Sequence, residues 1–211
     1  MDDELPDDSA SSPSAGPKKR PKPGERRAQI LQVLASMLEQ PGAERITTAA
    51  LAAKLGVSEA ALYRHFASKA QMFEALIDFI EGSVFSMVNQ IADSPHPLPP
   101  PGQAGRIASV ILQFAEKNPG MTRVMVGDAL VLEHERLQAR MNQFFDRVES
   151  SLRQVLRTAA EAQGSMTPTV QAQVQASVWV SFILGRLHRY TRTGFKRLPT
   201  EQLEAALKAV A

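Results

Sequence analysis

Large apolar residues return every three or four positions along most of this chain, the period of a helix buried on one side. Ile30, Leu31, Leu34, Met37 and Leu38 predict a first helix over about 24–40, ended by Pro41-Gly42. Thr47 is placed to cap a helix reaching about Lys54, and Gly56 supplies the positive φ of a tight turn. Ser58 caps a second short helix over about 59–65, and Ser68 with Gln71 has the capping-box pattern that opens a third. That long helix, to about 92, carries Met72, Phe73, Leu76, Ile77, Phe79, Ile80, Val84, Phe85, Val88 and Ile91, too many for one narrow stripe. The run DSPHPLPPPG (93–102) reads as a surface loop or semi-rigid spacer, because proline removes donors and fixes φ. Helices follow over about 103–117, 121–126, 128–163, 168–193 and 200–210, with Asn118-Pro119-Gly120 and Gly164 as breaks. Alternating strand patterns are lacking, so the expectation is an all-α fold of about nine helices.

Two short helices joined at a glycine turn read as a helix-turn-helix, whose second helix enters the DNA major groove. Ile46, Leu51, Ala52, Leu55, Val57, Leu62 and Phe66 close a small core, which leaves Ser58, Glu59, Ala60, Tyr63, Arg64 and His65 on or near the outer face. Ala60 and Ala61 are small enough for a close approach to the groove, and the Tyr63 hydroxyl can reach a phosphate. Lys69 adds charge beside the free N–H groups of the next helix, which suits a phosphate. With Thr47 and Thr48 these residues make the expected DNA face: Thr47, Thr48, Ser58, Ala60, Tyr63, Arg64, His65 and Lys69. The competing reading is an ordinary helical hairpin with Tyr63 and Phe66 in its core, and for Phe66 that reading holds in either case.

The run LAAKLGVSEAALYRHFASKAQMFEAL resembles the DNA-binding domain of the TetR family of bacterial regulators, through its helix-Gly-turn-helix, its Tyr-Arg-His-Phe block and its Ser-Lys opening of a fourth helix. The resemblance implies a homodimer with a helix-turn-helix domain over 24–70 and a helical dimerisation and partner-binding domain over 71–211. Two long, richly apolar helices near the C-terminus suit a four-helix interface with a second copy. Trp179 lies among them as core or interface.

Charge changes the picture at the N-terminus. The net charge is +2, yet Asp2, Asp3, Glu4, Asp7 and Asp8 precede a basic run of Lys18, Lys19, Arg20, Lys22, Arg26 and Arg27. Residues 1–23 read as a disordered arm. Its basic part either follows DNA beside the recognition helix or is a solvated tail. With no cysteine, disulfides and thiol chemistry are excluded. The longest apolar stretch, near Val178–Leu184, is far short of the roughly 20 residues of a membrane span, and no secretory signal is visible. The expected location is the cytoplasm, on the nucleoid. Glu133, His134 and Glu135 point about 100° apart on a helix and cannot converge on a metal, His96 reads as a solvated loop residue, His188 is isolated, and no phosphate loop appears. No enzyme activity, metal or cofactor is expected.

The C-terminal run NPGMTRVMVGDALVLEHERLQARMNQFFDRVESSLRQVLR (118–157) resembles the nucleoid occlusion factors within the TetR family, and the likeness spans about 25–200. It implies a protein that binds palindromic chromosomal sites, with one or several dimers per site, and when DNA-bound stops the tubulin-like protein FtsZ from assembling over the nucleoid. No small-molecule effector is implied. In that family the FtsZ tail lies between the fourth and fifth helices; Phe79, Phe114, Lys117 and Asn118 stand at matching positions here. Met87 replaces an expected basic residue, and the 93–102 linker differs. The alternative is a ligand-responsive repressor with a pocket lined by Met121, Met125, Met141, Phe144 and Phe145, residues that are core fillers first.

Overall fold

The computed structural model describes residues 24–40, 46–92 and 99–210; the acidic and basic arm, the Pro41-Gly42 stop and most of the proline-rich linker with His96 lie outside the described residues. The described residues form an all-α fold of nine α-helices. They are α1 (Glu25–Leu38), α2 (Thr48–Leu55), α3 (Glu59–Tyr63), α4 (Lys69–Ala92), α5 (Pro100–Lys117), α6 (Pro119–Met125), α7 (Glu135–Ala162), α8 (Pro168–Arg192) and α9 (Leu203–Val210). No described helix is long and apolar enough to cross a membrane.

Local chemistry sets most of these boundaries. The Thr47 side chain accepts from the Ala50 N–H at 3.1 Å, and Gly56 ends α2 at φ 66°, where its N–H meets the Ala52 and Ala53 carbonyls. Ser58 accepts from the Ala61 N–H at 3.3 Å. Ser68 accepts from Gln71 N–H at 3.2 Å, while the Gln71 amide oxygen reaches back one residue past the cap, to Ala67 N–H at 2.9 Å.

Three boundaries differ most from the sequence expectation, beside shifts of two or three residues at the end of α3 and the start of α9. α5 begins at Pro100, inside the run expected to exclude helix, because prolines in a first turn lack only N–H groups that no helical carbonyl would accept. For the same reason Pro119 opens α6 and Gly120 is helical rather than a breaker. The long helix expected from Asp128 starts at Glu135: Gly127 turns the chain at φ 85°, a single 3-10 turn spans Asp128–Leu130, and His134 Nδ1 accepts from Arg136 N–H at 3.3 Å.

One continuous core runs from α1 to α8. Leu34, Leu38, Phe66, Phe73, Leu76 and Ile77 at one end pass into Ile111, Phe144, Leu152, Trp179, Ile183 and Leu187 at the other, all at most 2% exposed. α4 traverses both. α7 and α8 pack side by side as the longest pair. A ladder of charges fixes α7 against α4: Arg136 with Glu74 at 2.7 Å, Arg140 with Asp78 at 2.9 Å and Glu81 at 3.1 Å, and Arg147 with Glu81 at 3.7 Å. Burial opposes the Arg140 charge, but its hydrogen bond to Asp78 and the charge of Glu81 outweigh it and raise the guanidinium pKa. Arg147 also lies 3.9 Å over the Phe85 ring, which meets Phe144 edge-on at 5.5 Å.

Candidate functional site

The expected DNA face is built on α2 and α3. Thr47 and Ser58 spend oxygen lone pairs on backbone N–H groups, which leaves each hydroxyl proton for an acceptor outside. Thr48 Oγ1 donates to Glu59 Oε2 at 2.6 Å, and the Tyr63 hydroxyl sits 3.5 Å from Thr48 Oγ1. Tyr63, Thr48 and Glu59 thus form a short relay tying the two helices together on the outer surface. The Tyr63 link is at the long limit of a hydrogen bond, so an approaching phosphate oxygen can take that proton at little cost. Tyr63 is 45% exposed, and Ala60 and Arg64 are also exposed.

His65 is half-buried, and its contribution is its carbonyl, which accepts from Arg27 Nη1. The same guanidinium stacks 4.0 Å over the Phe66 ring. Arg27 therefore holds the end of α3 from α1, a role that grouping it with the basic arm concealed. A cleft of about 400 Å³ opens beside it, with Arg26, Arg64 and His65 over an apolar floor including Ile30, Val57 and Leu62.

Lys69 does not point freely outward. Its ammonium pairs with Glu133, which lies just before α7, and stands 5.7 Å from the centroid of the Phe73 ring. The Glu133 side chain is only 11% exposed. The pair joins the start of α4 to the turn before α7, across 64 positions of sequence. Sequence offered only that two opposite charges existed.

The four residues expected at the partner groove differ from one another. Phe79 is 52% exposed, whereas Phe114 is 8% exposed and belongs to the core. Lys117 is exposed at the last turn of α5. Asn118 turns the corner from α5 to α6: its Nδ2 donates to the Phe114 carbonyl at 2.7 Å, and its own carbonyl accepts from Thr122 N–H at 2.9 Å. The buried Thr122 hydroxyl bonds at 2.8 Å to the Ala115 carbonyl. Met87 is half-buried beside the core.

Of the apolar residues proposed to line a ligand pocket, Met125, Met141, Phe144 and Phe145 are core, and Met121 is half-buried against it. Among the described residues no group of His, Asp and Glu is placed to hold a metal.

Comparison with known proteins gives two family matches. Residues 30–76 match the family described as bacterial regulatory proteins, tetR family, and residues 103–210 match the SlmA-like, tetracyclin repressor-like C-terminal domain. A relative from Idiomarina loihiensis, described as nucleoid occlusion factor SlmA, is 49% identical over 180 residues, 85% of this chain and 90% of its own. Its namesake in Vibrio cholerae is 48% identical with the same coverage of each. Among solved structures, the fatty acid degradation regulator FadR from Bacillus halodurans superposes with a TM-score of 0.71 at 12% identity, covering 90% of this chain and 96% of that one. The TetR-family regulator PfmR from Thermus thermophilus gives 0.69 at 21% identity, over 86% and 96%. These two establish the likeness of fold.

Proposed function

The chain belongs to the TetR family of bacterial regulatory proteins, in its branch of SlmA nucleoid occlusion factors, and from that premise we propose that it is a homodimer that binds palindromic chromosomal DNA and, when bound, keeps FtsZ from assembling over the nucleoid. Localisation on the nucleoid follows from this reading.

The observation that carries it is the identity of about half of all residues along 180 positions, through the C-terminal body as well as the helix-turn-helix. DNA binding is supported by the face at α2 and α3, where Thr47, Thr48, Ser58, Ala60, Tyr63, Arg64 and His65 are gathered; Lys69 joins it if phosphate draws it from Glu133. Dimerisation is supported by Val170, Val174 and Val178, 63%, 60% and 49% exposed at successive turns of one face of α8. A second copy covering that stripe buries it and sets two recognition helices on a two-fold axis, as a palindrome requires. FtsZ binding is assigned to the α4–α5 groove at Phe79, Lys117 and Asn118, with Phe114, expected as a direct contact but buried, forming its floor from the core. Phe79 supplies an exposed apolar contact there, and Lys117 a charge for an acidic tail.

DNA acts by orienting or multiplying dimers so that several FtsZ tails are held at once, at high effective concentration. The test is sedimentation of FtsZ with GTP in the presence of this protein and a palindromic duplex selected from a random pool, a scrambled duplex, or no DNA. Inhibition requiring the palindrome is expected. Equal inhibition without DNA would remove the activation step, and no effect under any condition would overturn the FtsZ assignment.

A further inference from the structure

Packing leaves one side of α5 uncovered. Ala104, Ile107, Ala108, Ile111, Leu112 and Ala115 face the core at 3% exposure or less. One flank is taken by the C-terminal segment: Thr200 Oγ1 bonds to the Glu116 carboxylate, and Leu207 approaches Gly105. The remaining side presents Arg106, Gln113 and Lys117, all exposed, with Val110 and Phe114 at its edge, each 8% exposed.

α4 forms the facing wall. Its charged residues Glu74, Asp78 and Glu81 turn to the arginines of α7, and at about 100° per residue Phe79, Ser83 and Met87 fall on the far side from that ladder. On the side that faces α7, Ile107 shares a cleft with Val88, Ile91 and Val155, which shows that the Arg106 turn of α5 is level with the Met87 turn of α4. The α4 wall is uncharged there, with Ser83, Ser86 and Met87.

We infer that Arg106 is a second cationic anchor for an acidic partner peptide, at the opposite end of the α4–α5 groove from Lys117. Among the described residues neither cation has an ion-pair partner, whereas Arg136, Arg140 and Arg147 across α4 are all paired. Arg106 and Lys117 are eleven positions apart on one helix face, about 16 Å along its axis. An extended peptide spans that distance in about five residues at ~3.3 Å each. The groove thus fits a short segment with an acidic residue toward each end and an apolar side chain between them, seated against Phe79. The inference rests on the reading that this groove takes the FtsZ tail, and it adds the residue that fixes the tail's second end.

The test is fluorescence anisotropy with a labelled C-terminal FtsZ peptide from the same bacterium, titrated with the full chain bound to its palindrome. Arg106→Glu should weaken binding by about ten-fold and flatten its salt dependence, the step expected when one close charge pair is lost and reversed. Arg106→Lys should stay within about two-fold. If Phe79→Ala and Lys117→Glu weaken the peptide while Arg106→Glu does not, the groove reading stands and the Arg106 inference falls. If none of the three changes binding, the groove reading falls and takes the inference with it. If Arg106→Glu instead weakens DNA binding in the absence of peptide, its partner is duplex phosphate and the inference is overturned. Helicity and peptide-free DNA affinity of Arg106→Glu should match the unaltered chain.

Discussion

Gly120 is where α6 crosses α1, and a single methyl group there tests the account of how the DNA-binding helices are held to the body. A Cβ built on Gly120 would lie 2.9 Å from the Ala35 carbonyl carbon, closer still to its oxygen, and 3.2 Å from Glu39 Cγ. Ordinary carbon contacts lie at about 3.5–4.0 Å. The Glu39 side chain can swing away, but the Ala35 carbonyl is backbone inside α1 and cannot, so α6 must retreat by an ångström or more. That retreat pulls Val124 and Met125 out of close contact and strains the Thr122 hydrogen bonds at the α5–α6 corner. Overpacking of cores costs ~1–3 kcal/mol, and a rigid obstacle puts this case near the upper end. Replacing glycine by alanine in a helix returns at most ~1 kcal/mol. The net expectation for Gly120→Ala is a loss of about 2 kcal/mol, read by urea unfolding at fixed protomer concentration. Gly82→Ala is the control: it lies in α4 with nothing within 4 Å of the added Cβ, so it should be neutral or stabilise by up to ~1 kcal/mol. Because α1 also clasps α3 through Arg27, DNA affinity of Gly120→Ala should fall as well. A Gly120→Ala protein within about 0.5 kcal/mol of the unaltered chain would refute the close crossing.

Four further outcomes follow from named contacts. Glu133→Gln should free Lys69 for phosphate and tighten DNA binding to all sequences, whereas Lys69→Ala should weaken it uniformly and lower the salt slope by about one; a loss of sequence preference in either would show that Lys69 reads bases. Arg27→Lys should weaken DNA binding nearly as much as Arg27→Ala, because an ammonium cannot stack on Phe66 while holding the His65 carbonyl as the guanidinium does; a lysine variant close to the unaltered chain would mark Arg27 as a plain phosphate contact. In Tyr63→Phe, Tyr190 is the sole tyrosine; burial first, then the Glu116 and Glu39 charges, raise its phenol pKa, so its ultraviolet titration should centre above ~10. A raised folded-state value means this contribution to stability is complete below the unfolded-state pKa and is lost as pH rises through the folded one; a midpoint at or below 10 would contradict it. Val174→Glu should give monomers by analytical ultracentrifugation while retaining helicity, and an unchanged dimer would place the interface elsewhere.

Most of the helices, the helix-turn-helix and the family are legible in the chain alone, because their signals are local. A threonine cap, a left-handed glycine and a serine cap act within four residues, and each appears where Thr47, Gly56 and Ser58 announce it. Proline is ambiguous in sequence because its effect depends on position: Pro100 and Pro119 start helices that the same residue would break farther along. Packing settles what helical spacing leaves open. Phe79 and Phe114 both sit on apolar stripes, yet one is exposed and one buried, because α5 and its neighbours cover one helix side and leave the other. Lys69 meets Glu133, Arg27 meets His65 and Phe66, and Gly120 meets Ala35 across separations that carry no periodic signal. Pairing across a helix crossing depends on the angle and depth of that crossing, quantities set by the whole packed core rather than by any stretch of chain within it.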